Sequence, residues 1–158
     1  MRYMNKSKNV FISHYNKDEE HIKKLKELLG KKGYEIKNSS IDSTKPNQAK
    51  NEEYIRRLLR LRIHWSGTVI VLIGPRTHTR EWVDWEIEQA NKKGKRIVGV
   101  YIRGAGGSDV PQNLNLYGDA LVNWNAGSII DAIEGKNSWR NPDGTIRERV
   151  WVSSRSNC

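Results

Sequence analysis

Trp82 and Glu86 lie four residues apart in the segment Glu81-Trp-Val-Asp-Trp-Glu-Ile87. In a helix this spacing places the aromatic ring and the carboxyl group on the same side. The apolar run Thr68–Ile73 before them predicts a buried strand that ends at Gly74. In a parallel α/β sheet, the loop after a strand and the first turns of the next helix form the ligand crevice. An aromatic surface and a carboxylate at that position predict a site for a sugar or a nucleotide.

Four further polar side chains are predicted at the same edge of the sheet. Ser13 and His14 end the first predicted strand, and His14 could donate a hydrogen bond to a phosphate or ribose oxygen. Ser40 and Asp42 lie in the long polar segment that follows the second strand. Each also has a structural interpretation, because Ser and Asp suit turns and a single histidine at a strand end commonly packs. The same alternative applies to Glu86, since mid-helix glutamates are usually solvated.

The sequence predicts neither a metal site nor a disulfide. His64 and His78 have no partner at metal-ligand spacing, and Cys158 is the single cysteine. The glycine-rich segment 104–107 follows a strand but lacks the G-x-G-x-x-G pattern of dinucleotide-binding loops, so it is predicted to be a flexible loop. We therefore expect that no metal or flavin cofactor is needed.

Strand and helix patterns alternate along most of the chain. The apolar runs that predict strands are Val10–Ser13, Tyr34–Ile36, Thr68–Ile73, Gly94–Ile102 and Ala120–Val122. Helical periodicity lies between them, and the acidic residues 18–20 are predicted to form the first turn of the first helix. This alternation predicts right-handed crossovers and a five-stranded parallel α/β sheet with helices on both faces.

The alternation of strands and helices does not reach the end of the chain. The turn signal Asn141-Pro-Asp-Gly144 separates Trp139 from the run Val150–Val152, which predicts an appended C-terminal hairpin. The hairpin could cap the core or form a surface for a partner, and capping is the preferred interpretation. We therefore divide the chain into a domain at residues 1–135 and a C-terminal extension at residues 136–158.

The composition fits one globular domain. With 158 residues, 36% of them hydrophobic, and a mean hydropathy of -0.78, the chain can bury one full core. The longest apolar stretch is far shorter than a membrane helix, and the N-terminal residues lack the apolar core of a signal peptide. These features predict a cytoplasmic protein without a membrane partner.

The net charge of +10 raises nucleic acid as a partner. The basic residues are scattered, however, over the first two predicted helices, residues 92–96 and the tail. No stretch combines a concentrated basic patch with interleaved aromatic residues, so solvated helix faces explain the charge better. The arginines at 56–62 keep a nucleic-acid-binding domain as an alternative, which would bind with strong salt dependence.

Four segments, in this order, resemble the conserved boxes of the TIR domain family, specifically its bacterial branch in antiphage defence such as the Thoeris systems. Val10–Asp18 resembles the first box, and Gly33–Ile36 with the following loop resembles the second box and the BB loop. Val69–Thr77 followed by Glu81–Ile87 resembles the third strand and the Trp-x-x-x-Glu helix, and Lys95–Val100 resembles the strand after it. The resemblance covers roughly residues 8–135. The segment Lys37–Asp42 lacks the acidic, glycine-containing run of animal and plant receptors, which argues against a receptor-like adaptor role.

The resemblance implies a flavodoxin-like sheet and, in many bacterial members, cleavage of NAD at the nicotinamide–ribose bond. It places the family's catalytic glutamate on Glu86. In Thoeris-type members the ADP-ribose is rejoined to itself as a cyclic signal nucleotide, which activates a separate effector protein. TIR catalysis generally depends on self-assembly, in which the BB loop of one copy reaches the next.

The chemistry of this bond fits a single carboxylate. Nicotinamide in NAD is already a cation, so it leaves without a general acid, and the enzyme must stabilise the positive charge that develops on the ribose. Glu86 near the ribose hydroxyls would supply that stabilisation and Trp82 a stacking surface. The resulting hypothesis is an NAD glycohydrolase or ADP-ribosyl cyclase with NAD as substrate. The main alternative is a non-enzymatic assembly module of the same fold, in which Glu86→Gln leaves biological activity intact.

Overall fold

The computed structural model describes residues 6–40 and 52–148. Its strands are β1 (Lys6–Ser13), β2 (Tyr34–Asn38), β3 (Thr68–Ile73), β4 (Arg96–Tyr101) and β5 (Ala120–Val122). Its helices are α1 (Glu20–Gly30), α2 (Glu52–Trp65), α3 (Glu81–Lys92), α4 (Gln112–Tyr117) and α5 (Ala126–Ile133). Strands and helices alternate as the sequence pattern predicts, with α4 as an additional short helix.

The five strands form one parallel sheet in the order β2-β1-β3-β4-β5. Every residue of the central strand β3 is buried, as its uninterrupted apolar run predicts. The connections leave β1 and β3 in opposite directions, so a crevice opens between the carboxyl ends of these two strands. The prediction of a five-stranded parallel α/β sheet is confirmed.

Each face of the sheet is covered by its own helices, as predicted. Helices α1 and α5 cover one face through Leu25, Leu29, Ile129 and Ile130. Helices α2, α3 and α4 cover the other through Leu59, Ile63, Val83, Ile87 and Leu114. Residues of β1 alternate between the two cores, with Ile12 on the α1 side and Phe11 on the α3 side. This alternation directs Ser13, the last residue of β1, toward α3.

Local sequence explains several helix ends. Gly33 follows α1 with a φ of 76°, in the left-handed region that favours glycine. Helix α5 begins after Asn125, whose side-chain oxygen accepts a hydrogen bond from the Ser128 backbone N–H at 2.9 Å. Helix α4 has six residues, too few for a periodic pattern, and its buried Leu114 fills the space above Gly99. An added Cβ at Gly99 would lie 2.6 Å from the Leu114 side chain.

The segment after α5 runs along the outer side of β5. The Leu121 N–H donates to the Ser138 carbonyl oxygen at 2.9 Å, and the Arg140 N–H donates to the Leu121 carbonyl oxygen at 2.8 Å. Trp139 therefore forms a parallel bridge with Leu121 and packs against the core beside α3. These contacts give the edge strand β5 a hydrogen-bonding neighbour on its outer side.

A second set of contacts ties the end of this segment back to the sheet. Arg147 donates from Nη1 to the Tyr101 hydroxyl oxygen at 3.0 Å and to the Gly107 carbonyl oxygen at 3.1 Å. The predicted hairpin strand at 150–152 lies outside the described residues, so the hairpin stays a prediction. Within the described ranges, none of the helices combines the length and the apolar character that a membrane crossing requires.

Candidate active site

Ser13 and Glu86 form a buried hydrogen-bonded pair at the carboxyl edge of the sheet. Ser13 is the last residue of β1, and Glu86 lies in the middle of α3. The Ser13 hydroxyl donates to Glu86 Oε1 at 2.5 Å. The two residues are 73 positions apart in the sequence, so the packing of α3 on the sheet brings them together.

Burial changes the acidity of Glu86. The residue is 9% exposed, and burial raises the pKa of its carboxyl group to about 8, although the hydrogen bond from Ser13 acts in the opposite direction. Among the described residues, no lysine, arginine or histidine forms a salt bridge with Glu86. A carboxyl group in this setting ionises readily when positive charge arrives beside it, which suits it to stabilise a cation.

Trp82 lies one helical turn before Glu86, and its ring belongs to a stack between α2 and α3. The Arg56 guanidinium lies 5.0 Å from the ring centroids of both Trp82 and Trp85. The two indole rings meet edge to face, with their centroids 5.5 Å apart. This stack joins α2 to the first turns of α3, one helical turn before Glu86. The role of Trp82 as a wall of the ligand pocket stays a prediction.

The other predicted site residues are distributed along the same edge. His14 is half-buried, and its Nδ1 donates to the Ile12 carbonyl oxygen at 2.9 Å. Ser40 is half-buried after β2, where Asn38 Nδ2 donates to its hydroxyl oxygen at 2.8 Å. Asp42 lies outside the described residues. Nucleotide contacts by these three side chains stay predictions.

Sequence reasoning missed the position of Asp18. The pattern places it in the first turn of α1, but the chain first forms a 3-10 turn at Asn16–Asp18, and α1 begins two residues later. The turn directs Asp18 inward, so the residue is only 9% exposed. The signal in the sequence was the place of Asp18 in the segment that resembles the first TIR box.

The Asp18 carboxyl group lies against the crevice between β1 and β3. Its Oδ2 is buried and has no hydrogen-bond partner in the part of the chain that the structure describes. Burial raises its pKa, while the nearby His21 and His14 act in the opposite direction. Gly74 makes room for it, because an added Cβ there would lie 2.5 Å from Asp18 Oδ2. Two carboxyl groups, Asp18 and Glu86, therefore lie buried near the carboxyl ends of the central strands.

The arrangement of the acidic and histidine side chains does not indicate a metal site in the described residues. Across residues 6–40 and 52–148, no group of three or more His, Cys, Asp or Glu side chains is arranged to hold a metal ion. Glu86 has Ser13 as its hydrogen-bond partner. A carboxyl group placed in this way can accept a proton or stabilise positive charge on a neighbouring group.

Three solved structures resemble parts of the chain. The CMP N-glycosidase of Clostridium botulinum has 18% identity and a TM-score of 0.49, over 80% of this chain and 98% of that chain. The TIR domains of the activated Roq1 resistosome have 20% identity and a TM-score of 0.42, over 60% and 57%. A conserved protein from Enterococcus faecalis V583 has 15% identity and a TM-score of 0.47, over 84% and 90%. At this level of similarity none of them assigns a substrate or an activity to this chain.

No curated protein matches the chain. A comparison with models of protein families gives a more specific result. The model of the family described as "Thoeris protein ThsB, TIR-like domain" matches residues 11–106, which is more than half of the chain and includes both Ser13 and Glu86. The match runs from β1 to the loop after β4, the same elements on which the sequence resemblance rests. The chain therefore belongs to the family of the Thoeris protein ThsB TIR-like domain.

Proposed function

We propose that this chain cleaves NAD between nicotinamide and ribose and converts the ADP-ribose into a signal nucleotide, cyclic in form, for antiphage defence. The observation that carries the proposal is the buried Glu86–Ser13 pair at the carboxyl edge of the sheet. Membership of a Thoeris TIR-like family supports the defence context.

The proposed reaction needs little proton transfer. The bond between the nicotinamide nitrogen and the ribose anomeric carbon breaks, and its electron pair stays on that nitrogen, so neutral nicotinamide leaves. The positive charge moves to the ribose, where the Glu86 carboxylate stabilises it. A hydroxyl or ring nitrogen of the same molecule then attacks the anomeric carbon to give a cyclic product, and water attack gives linear ADP-ribose. Any proton of the attacking group passes to solvent or to Glu86.

The raised pKa of Glu86 is compatible with this role. The nicotinamide ring of NAD carries a positive charge before cleavage, and a positive charge beside a carboxyl group lowers its pKa. Substrate binding therefore favours the ionised carboxylate that the reaction requires. Ser13 holds one carboxyl oxygen through its hydrogen bond and so fixes the orientation of Glu86.

The proposal assigns supporting roles to the other predicted residues. Trp82 borders the pocket one turn before Glu86, and Ser13, His14 and Ser40 contact the nucleotide. Asp42, beyond the described residues, is assigned to the same nucleotide contacts from the sequence alone. We also propose that copies of the chain assemble through TIR interfaces, and that the nucleotide product diffuses to a separate effector protein.

The test is chromatography of NAD incubated with concentrated protein. Glu86→Gln keeps the size of the side chain but cannot carry negative charge, so we expect nicotinamide release to fall at least about 100-fold. Glu88→Gln is the matched control, because Glu88 lies on the same helix and pairs with Lys92 at 3.0 Å on the surface. This variant should release nicotinamide at the wild-type rate. The second product peak identifies a linear or a cyclic nucleotide.

Two results would overturn the proposal. If the wild-type protein leaves NAD intact, even when concentrated or in lysate of phage-infected cells, the assembly module without catalysis replaces it. If NAD is untouched while nucleoside monophosphates lose their base in a Glu86-dependent manner, the carboxylate is catalytic but the substrate assignment is wrong.

A further inference from the structure

A groove of about 580 Å³ lies on the face of the sheet opposite to Glu86. It is bordered by the exposed side of α1, by Arg103 after β4 and by Trp124 after β5. Helix α1 and Trp124 pack on the core of one face, whereas the core residues of α3 pack on the other. The volume falls in the range of small-molecule binding sites. This groove therefore has room for a ligand, and its lining residues include neither Ser13 nor Glu86.

The charge of the groove favours an anion. Lys24, Lys31 and Arg103 line it, against one carboxylate, Glu27. Within the described ranges, neither Lys31 nor Arg103 has a carboxylate at salt-bridge distance, and Lys24 meets Glu20 only at 4.0 Å. These cations are therefore available to a ligand that carries negative charge.

Trp124 gives the groove a fixed aromatic surface. The residue is half-buried and packs against the core on the α1 side of the sheet. The His21 ring meets it edge to face, with the ring centroids 6.3 Å apart and an interplanar angle of 85°. Proteins bind nucleotides with such a combination, in which the base stacks on the aromatic ring and the phosphates bind the neighbouring cations.

We propose that this groove binds a free nucleoside diphosphate. The base stacks on Trp124, the phosphates bind Lys31 and Arg103, and the Glu27 carboxylate accepts hydrogen bonds from the ribose hydroxyls. The site does not depend on the proposed reaction at Glu86, because it lies on the other face of the sheet. A nucleotide bound here is a second ligand of the protein, in addition to any substrate.

The test is equilibrium binding of ADP to the full chain carrying Glu86→Gln, at low salt, by isothermal titration calorimetry. Trp124→Leu removes the stacking surface, and Lys31→Ala with Arg103→Ala removes two cations. We expect each of these changes to weaken ADP binding about ten-fold or more. Lys32→Ala and Trp65→Leu are the matched controls, because both residues are exposed and lie outside the groove. They should bind ADP as the parent does.

Several outcomes would overturn the proposal. These are no saturable ADP binding, equal binding by the groove variants and the controls, or pyrophosphate binding as tightly as ADP with no effect of Trp124→Leu. A single-stranded oligonucleotide that binds much more tightly than ADP would replace the free nucleotide with nucleic acid. Lys31 and Arg103 are exposed, so their double variant tests the site even if Trp124→Leu weakens the fold.

Discussion

A carboxyl group without a cationic partner is easier to bury neutral than ionised. Glu86 is in this situation, and the hydrogen bond from Ser13 offsets only part of the effect of burial on its pKa. Burial therefore weakens the folded state whenever the group ionises without a ligand. In the proposed function the same burial prepares the carboxyl group to meet a positive charge, so the proposed function and the stability of the fold act against each other at this position.

This opposition can be measured as pH-dependent stability. Folded Glu86 keeps its proton up to about pH 8, whereas the unfolded residue loses it near 4.5. The contribution of the protonated, buried Glu86 to the free energy of unfolding is therefore complete below pH 4.5 and is lost as the pH rises through about 8. We expect Glu86→Gln to be increasingly more stable than the wild type across this interval, by about 1.4 kcal/mol for each pH unit.

Urea unfolding of both proteins at a series of pH values checks this expectation. Glu88→Gln is the control, and its curve should stay parallel to that of the wild type because Glu88 is paired with Lys92 at the surface. Parallel curves for Glu86→Gln as well would show that its carboxyl group is not buried in solution. This measurement does not depend on any enzymatic activity.

The turns after β1 and β3 are packed against each other. Asp18 ends the 3-10 turn that follows β1, and Gly74 directly follows β3. An added Cβ at Gly74 would lie 2.5 Å from Asp18 Oδ2 and 2.9 Å from Ile102 Cδ1. The crevice at the switch point of the sheet therefore keeps its shape only if the position after β3 has no side chain.

We expect Gly74→Ala to lower the free energy of unfolding by about 1–3 kcal/mol, because a core position without spare volume must shift to accept a methyl group. Thermal and urea unfolding measure the loss. Gly30→Ala is the control, since no atom lies within 4 Å of an added Cβ at the end of α1. Adding Asp18→Ala to Gly74→Ala should recover part of the lost stability. Equal stabilities of Gly74→Ala and Gly30→Ala would contradict this packing.

The sequence predicted elements better than it predicted contacts between them. The bounds of β3 and β5 agree with the pattern, because an uninterrupted apolar run marks a strand covered on both faces. The contacts of Trp82 could not be predicted in the same way. Its spacing from Glu86 indicated a shared helix side, but the Arg56 guanidinium comes from α2 and reaches the ring only once the helices pack.

In the candidate site, too, the positions of residues were easier to predict from the sequence than their contacts. Sequence position placed Ser13 and Glu86 at one edge of the sheet, and the structure adds the hydrogen bond that joins them. Asp18 was missed because a 3-10 turn rotated a residue that helix rules assign to solvent. Helix α4 was missed because a single buried residue gives no periodicity.

The segment after α5 protects one edge of the sheet. Residues 138–140 bond to β5, and Arg147 ties the following turn to Tyr101. An uncovered edge strand offers backbone groups to other chains and promotes aggregation. The family match ends at residue 106, so the contacts that cover this edge come from residues beyond the match.

Two truncations test this role. A chain that ends after Gly135 loses the whole segment, and we expect its Tm to fall by roughly 5 °C or more and the protein to associate. A chain that ends after Glu148 is the control, because it keeps every described contact to β5 and Tyr101. Differential scanning calorimetry and light scattering provide the two readouts. Equal behaviour of the two truncations would show that the segment does not protect the edge.

The segment after α5 covers only one edge of the sheet, and this limits how copies of the chain can join. In the described residues β5 has an outer neighbour, whereas β2, at the other end of the strand order, pairs only with β1. Two copies that meet strand to strand must therefore use β2 on both sides, and such a pair has two-fold symmetry and closes on itself. Among the strands of residues 6–40 and 52–148, no uncovered edge is then left for a third copy. We therefore expect any longer filament of this protein to grow through helices and loops.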